Sequence, residues 1–164
     1  MNLSINDTLT QTLYSEALML DEGRFEDWLN LLSPELRYTV HIQQDTAEDW
    51  QNASKQRLVY MDENFSSMRL RVLKLRTNLP QTELPRSRTV RTINNVLVEE
   101  AGPGAYLVRS AFLLYRNHRQ RDTELLAGHR TDVWSVESGE SKLQSRDVRF
   151  AANVLPTKSL SLFY

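Results

Sequence analysis

Apolar residues near the start of the chain recur at helical spacing. Leu9, Leu13, Ala17 and Leu20 stand four, four and three residues apart, which lines one face of a helix. Asp7 is placed to cap its start and Gly23 to end it. Phe25, Trp28, Leu29 and Leu32 mark the apolar side of a second, short helix, which Ser33-Pro34 should stop. The period then changes. Leu36, Tyr38, Val40 and Ile42 alternate with other residues, the two-residue repeat of a strand. Residues 43–56 are polar and read as a loop before the short apolar run Leu58-Val59-Tyr60. A third helix is expected with Asp62 or Asn64 as its cap and Phe65, Met68, Val72 and Leu75 on one face. Val72-Leu73 breaks the alternation that a strand would need there.

Beyond Pro80 and Pro85 the chain becomes β-rich. Strands are expected over 89–99, 105–117, 124–136 and 142–154, with turn chemistry at Ala101-Gly102-Pro103-Gly104 and Ser138-Gly139-Glu140. The second of these carries Tyr106, Val108, Ser110, Phe112 and Leu114 on one face. Leu107, Arg109, Ala111, Leu113 and Tyr115 fall on the other, so it reads as covered on both sides. Strands this long exceed the usual five or six residues and must twist or curl. Helix, helix, strand, helix and then a meander of long strands make a single α+β domain over residues 1–164. A curved antiparallel sheet wrapped around a helix is the cone of the nuclear-transport-factor-2-like superfamily. The apolar end, Leu160-Ser161-Leu162-Phe163-Tyr164, must dock on its own core or on a partner.

Composition then narrows the chemistry. A net charge of -1 argues against a nucleic-acid binder, which needs a basic field. No apolar run approaches the roughly 18 residues of a membrane span, no leader pattern opens the chain, and a cytoplasmic location is the default. Cysteine is absent, which removes disulfides, thiol nucleophiles and every cluster ligation that needs a thiolate. Of the 20 basic residues only Lys55, Lys74, Lys142 and Lys158 are lysine, so cationic contacts here are guanidinium contacts, which grip carboxylates in a planar fork.

His41, His118 and His129 sit on three separate expected segments, and none pairs with another at metal-ligand spacing. Cone folds can be enzymes that use an Asp or an Asp/His pair as general base. In such an isomerase, dehydratase or cyclase the pocket candidates would be Tyr38, His41, His129 and Asp132. Arg86, Arg88 and Arg91 form a basic cluster at the start of one long strand, and Arg116, His118, Arg119 and Arg121 form another at the end of the next. Antiparallel pairing brings both to one end of the sheet, either as a solvated basic edge or as a carboxylate-binding interface.

The stretch Tyr14-Ser15-Glu16-Ala17-Leu18-Met19-Leu20-Asp21-Glu22-Gly23-Arg24-Phe25-Glu26-Asp27-Trp28-Leu29 resembles the opening of the small (beta) subunits of aromatic-ring-hydroxylating dioxygenases. Leu84-Pro85-Arg86-Ser87-Arg88-Thr89, Asn94-Asn95-Val96, Tyr115-Arg116, Gly128-His129-Arg130-Thr131-Asp132 and Arg146-Asp147-Val148 resemble later motifs of the same family, in order. Phe150-Ala151-Ala152-Asn153 departs from it, because the Asp that usually follows the last strand is missing. The resemblance implies a structural small subunit without catalytic residues of its own. It implies assembly with a large (alpha) subunit, commonly three of each, and leaves room for a homotrimer of the small subunit alone. The Rieske cluster and the mononuclear iron would lie in the large subunit, fed by electrons from NAD(P)H, and no cofactor in this chain. Interface residues are then expected among Arg86, Arg88, Asn95, Arg116 and Arg130.

Overall fold

The computed structural model describes residues 4–44, 56–77, 86–118, 122–152 and 162–164. In chain order the elements are α1 (Ile5–Glu22), α2 (Phe25–Leu29), β1 (Leu32–Gln44), β2 (Gln56–Asn64), α3 (Phe65–Thr77), β3 (Arg88–Gly102), β4 (Ala105–His118), β5 (Asp122–Glu137) and β6 (Glu140–Phe150). The expected turns at 101–104 and 138–140 join β3 to β4 and β5 to β6. Gln43, Gln44 and Gln56, read as loop, extend β1 and β2, and the rest of that loop lies outside the described residues. So do Pro80, Leu84, Pro85, Arg119, Arg121, Lys158 and the expected strand end at Val154.

The helix ends follow capping chemistry, with one correction. Ser4, not Asp7, caps α1: its hydroxyl accepts from the Asp7 backbone N–H at 3.2 Å. Asp7 lies in the first turn, where its charge complements the helix dipole. Gly23 ends α1 at φ 74°, a left-handed conformation that favours glycine. Asn64 caps α3 in a reciprocal arrangement. Its side-chain oxygen accepts from the Ser67 N–H at 2.9 Å, and the Ser67 hydroxyl accepts from the Asn64 N–H at 2.9 Å.

Pro34 does not mark the boundary expected of it, because α2 ends at Leu29 and β1 already runs through Ser33-Pro34. Pairing with β6 jumps between Leu32 and Arg37, and pairing with β2 begins only at Arg37. The missing N–H of Pro34 therefore interrupts no ladder.

Among the described residues the six strands form one sheet in the order β2-β1-β6-β5-β4-β3. β3 to β6 are an antiparallel meander, and β1 joins it by parallel pairing with β6. The sheet curves and stays open, and the helices line its inner side. β3 carries a bulge between Asn94 and Leu97, with Asn95 at φ 53°. The extra residue lets Ile93 on one side of it, and Val96 and Val98 on the other, all turn inward. The core lies between helices and sheet: Leu9, Leu13, Trp28, Tyr38, Val40, Met68, Val108, Leu114, Trp134, Leu143 and Val148 are all at most 2% exposed with their neighbours packed around them.

The outer face of the sheet has a different character. β4 was expected to be covered on both sides, but Leu113 and Tyr115 are exposed, as are Val90 on β3 and Leu125 on β5. Val90 pairs with Tyr115 and Tyr115 with Leu125, so three of these side chains form one row across three strands.

Candidate functional site

The inner face of the sheet carries an ionic cluster that the apolar pattern does not announce. On the α1 stripe the buried positions are Leu9, Leu13, Glu16, Ala17 and Leu20, so a carboxylate occupies a core position. On β6 and β5, Arg146 and Asp132 are cross-strand partners, and Tyr38 of β1 stands on the other side of Arg146. Strand alternation turns all three inward, and Arg130 follows two residues before Asp132. Glu16 and Asp132 are 0% exposed, Arg146 1% and Arg130 2%, so two carboxylates and two guanidiniums share a buried interior.

Arg146 sits at the centre. Its Nη1 and Nη2 donate to Glu16 at 2.7 and 2.8 Å, and its Nε and Nη2 donate to Asp132 at 2.9 and 2.7 Å. The indole N–H of Trp28 donates to Glu16 at 3.0 Å, and that of Trp134 to Asp132 at 3.4 Å. Arg130 reaches Glu16 at 3.5 Å and the Ser110 hydroxyl at 3.3 Å, and its Nη2 has no partner. Burial alone would push the Glu16 carboxyl up, but Arg146, Arg130 and their hydrogen bonds hold it below the ordinary Glu value. Burial and the neighbouring Arg146 lower Arg130. For Arg146 burial is outweighed by Asp132 and Glu16, which raise it. The cluster is a locked set of charges with no free base.

Residues 162–164 close the interior. Phe163 packs on Trp28 at 4.6 Å between ring centres, and Tyr164 meets Phe150 edge-on at 4.9 Å. Their backbone is held by side chains. The Tyr38 hydroxyl donates to the Tyr164 carbonyl and accepts from the Tyr164 N–H at 2.8 Å, while Arg146 donates to the same carbonyl at 3.0 Å. Arg91 donates to the Phe163 carbonyl at 2.7 Å. Of the two roles open to this apolar end, these residues dock on their own core. Tyr38 and Tyr164 are both raised by burial, which keeps the phenols neutral.

The four pocket candidates do not converge. Tyr38 and Asp132 point inward, whereas His41 and His129, each three residues away along its strand, fall on the outer face. His41 Nε2 lies 3.0 Å from an oxygen of Asp147 there, and Asp147 also accepts from Arg149 at 2.7 Å. His41 and His129 both pair with Arg149 from opposite sides, so two strand spacings, roughly 10 Å, separate them. His118 is buried on the inner face. Among the described residues no three His, Asp or Glu are grouped as a metal would need, and the chain has no cysteine. These residues fit neither a Rieske cluster nor a mononuclear iron.

The five interface candidates also divide. Arg130 is interior, and the Arg116 side chain is 5% exposed beside Glu124, so both are occupied within this chain, where an inward alternation sends them. Arg88 and Asn95 are exposed on β3, and Arg88 shares the outer face with Val90. Arg86 is exposed just before β3 and stacks over the Phe25 ring at 4.3 Å. Sequence reasoning missed Glu16 and Arg146 as site residues. Their signal was present: a charge inside an apolar helix stripe, and an arginine in phase with the buried positions of the last strand.

This arrangement can be set beside known proteins. The chain is 30% identical, over 98% of its length and 89% of the relative's, to the beta subunit of biphenyl 2,3-dioxygenase from Rhodococcus jostii. Its fold superposes on a chain of naphthalene 1,2-dioxygenase, solved with indole in that enzyme's active site, with a TM-score of 0.87 at 24% identity, covering 100% of this chain and 88% of that one. A candidate scytalone dehydratase from Novosphingobium aromaticivorans shares the cone with a TM-score of 0.65 at 13% identity, over 89% of this chain and 83% of the other. The family model described as the ring hydroxylating beta subunit matches residues 15–157. By sequence over most of its length, and with the cone fold to match, the chain belongs to the family of ring-hydroxylating dioxygenase beta subunits.

Proposed function

We propose that the chain supports a large, iron-containing subunit in a cytoplasmic hetero-oligomer of three small and three large subunits. Family membership makes it the small subunit of an aromatic-ring dioxygenase. The observation that carries the structural role is the contrast between its two sides. The cone interior is filled by Trp28, Tyr38, Trp134, Phe163 and Tyr164, and its charges are paired with one another. The outer face leaves Val90, Leu113, Tyr115 and Leu125 open, with Arg88 beside them. Exposed apolar side chains gathered on one face and rimmed by charge mark a protein interface. In this reading the Rieske cluster and the mononuclear iron lie in the large subunit. That subunit takes electrons from NAD(P)H through a reductase and adds both atoms of dioxygen to the ring. Biphenyl is the first compound to try, because the relative at 30% identity belongs to a biphenyl dioxygenase.

The test is co-expression with the cognate large subunit. The two chains are expected to co-purify and to oxidise an aromatic substrate together, and Arg88→Glu is expected to weaken the association. Turnover by the small chain alone, or a stoichiometric metal bound to it, would overturn the reading.

A further inference from the structure

A cleft of about 130 Å³ opens beside the end of α1, lined by Asp21, Phe25, Arg86, Thr89, Arg91 and Phe163 among others. Its two guanidiniums are in opposite situations. Arg91 is engaged through both terminal nitrogens, although its Nε has no partner among the described residues: it pairs with Asp21, lies 3.1 Å from the Thr89 hydroxyl and donates to the Phe163 carbonyl at 2.7 Å. Asp21 is equally committed. It also accepts from the Thr89 hydroxyl at 2.9 Å and from the Arg91 backbone N–H at 2.8 Å. The other acid on the rim, Glu22, accepts from Arg24 at 2.7 Å. Arg86 has no hydrogen bond or ion pair with any described residue.

Arg86 is nevertheless held in place. Its guanidinium sits over Phe25, with the central carbon 4.3 Å from the ring centre. Its other side rests against Gly23, where a Cβ would come within 2.2 Å of Nη1. Partial burial, reinforced by the positive charge of Arg91, pushes its pKa down. A pre-positioned guanidinium fork with no acid partner among the described residues, facing a cleft large enough for about four waters, is built for a planar anion.

We propose that this cleft is a carboxylate-binding site, filled in the assembled enzyme by an Asp or Glu side chain of the large subunit that takes the fork of Arg86. The inference rests on the small-subunit reading above and names the chemistry of one contact within it. Arg86 provides a bidentate grip, the Phe25 ring lies beneath its guanidinium, and Ser87 and Thr89 also line the cleft.

The measurement is the dissociation constant for the cognate large subunit, at two salt concentrations, for the intact chain and its variants. Arg86→Ala should weaken assembly at least tenfold and flatten the salt dependence. Arg86→Lys should recover only a minor part, because an ammonium lacks the planar fork. Thermal unfolding of each variant confirms that it is folded. Titration of the isolated chain with glutarate, followed through the side-chain Nε–Hε resonance of Arg86, is expected to give a saturable shift. Assembly of Arg86→Ala within twofold of the parent overturns the proposal while leaving the subunit reading intact. Glutarate binding with unchanged assembly would assign the cleft to a free carboxylate and also overturn it. Failure of the parent chain to assemble at all is a different result: it removes the subunit reading, and this contact with it.

Discussion

The two faces of the sheet use the same kinds of side chain for opposite ends. On the inner face Arg146 is wholly buried and answers two carboxylates at once. On the outer face Arg149, three residues later on the same strand, makes a half-exposed contact with Asp147 beside His41. The inner cluster is shielded from water, so each of its members depends on the others. The outer pair is screened by solvent and contributes little. Apolar residues reverse this order: they are sealed within the cone and left open outside. The interior therefore serves the stability of this chain, and the exterior is where a partner has something to gain.

The largest effect should come from breaking the interior. Arg146→Met leaves Glu16 and Asp132 buried without their shared cation, and such a loss typically costs about 3–5 kcal/mol. Urea unfolding of the two proteins measures it, and a cost below about 1 kcal/mol would mean that the cluster is not the keystone described here.

Glu16→Gln should cost less, about 1.5–3 kcal/mol for a hydrogen bond to a charged group. It also probes pH. The folded Glu16 value is depressed, so its carboxylate contributes stability above the unfolded value, and that contribution is lost as pH falls through the folded one. Unfolding free energies measured on the acid side should fall more steeply for the parent than for Glu16→Gln. Parallel curves would show that Glu16 does not carry the acid sensitivity.

The smallest effect on the isolated chain should come from the exterior. Leu113→Ser together with Leu125→Ser should change stability by no more than about 0.5 kcal/mol per site. The same change should impair association with the large subunit. Sedimentation of the mixed subunits is the check, and normal assembly would move the interface elsewhere.

Much of the fold was legible. The helical stripe ending at Gly23, the alternation around Tyr38 and the turn residues before β4 and β6 each led to the element found. Pro34 misled, because a proline is also tolerated inside a strand where the ladder has a gap. The candidate site was less legible. Tyr38, His41, His129 and Asp132 are pocket candidates by residue type, but a separation of three along a strand puts Tyr38 and His41, and likewise His129 and Asp132, on opposite faces. Parity alone could have divided them.

The sequence by itself determined which family this chain joins, which residues take helical or strand periods, and that no thiolate chemistry resides here. Those properties depend on residue type and local spacing. Only the tertiary structure decided that Glu16, Asp132, Arg130 and Arg146 form one cluster, that residues 162–164 seal the cone, and that Arg86 faces a cleft whose two acids, Asp21 and Glu22, are engaged by other residues. Each of these joins side chains from distant segments, and whether a charge is spent or available depends on which partners the folded chain brings within hydrogen-bonding distance.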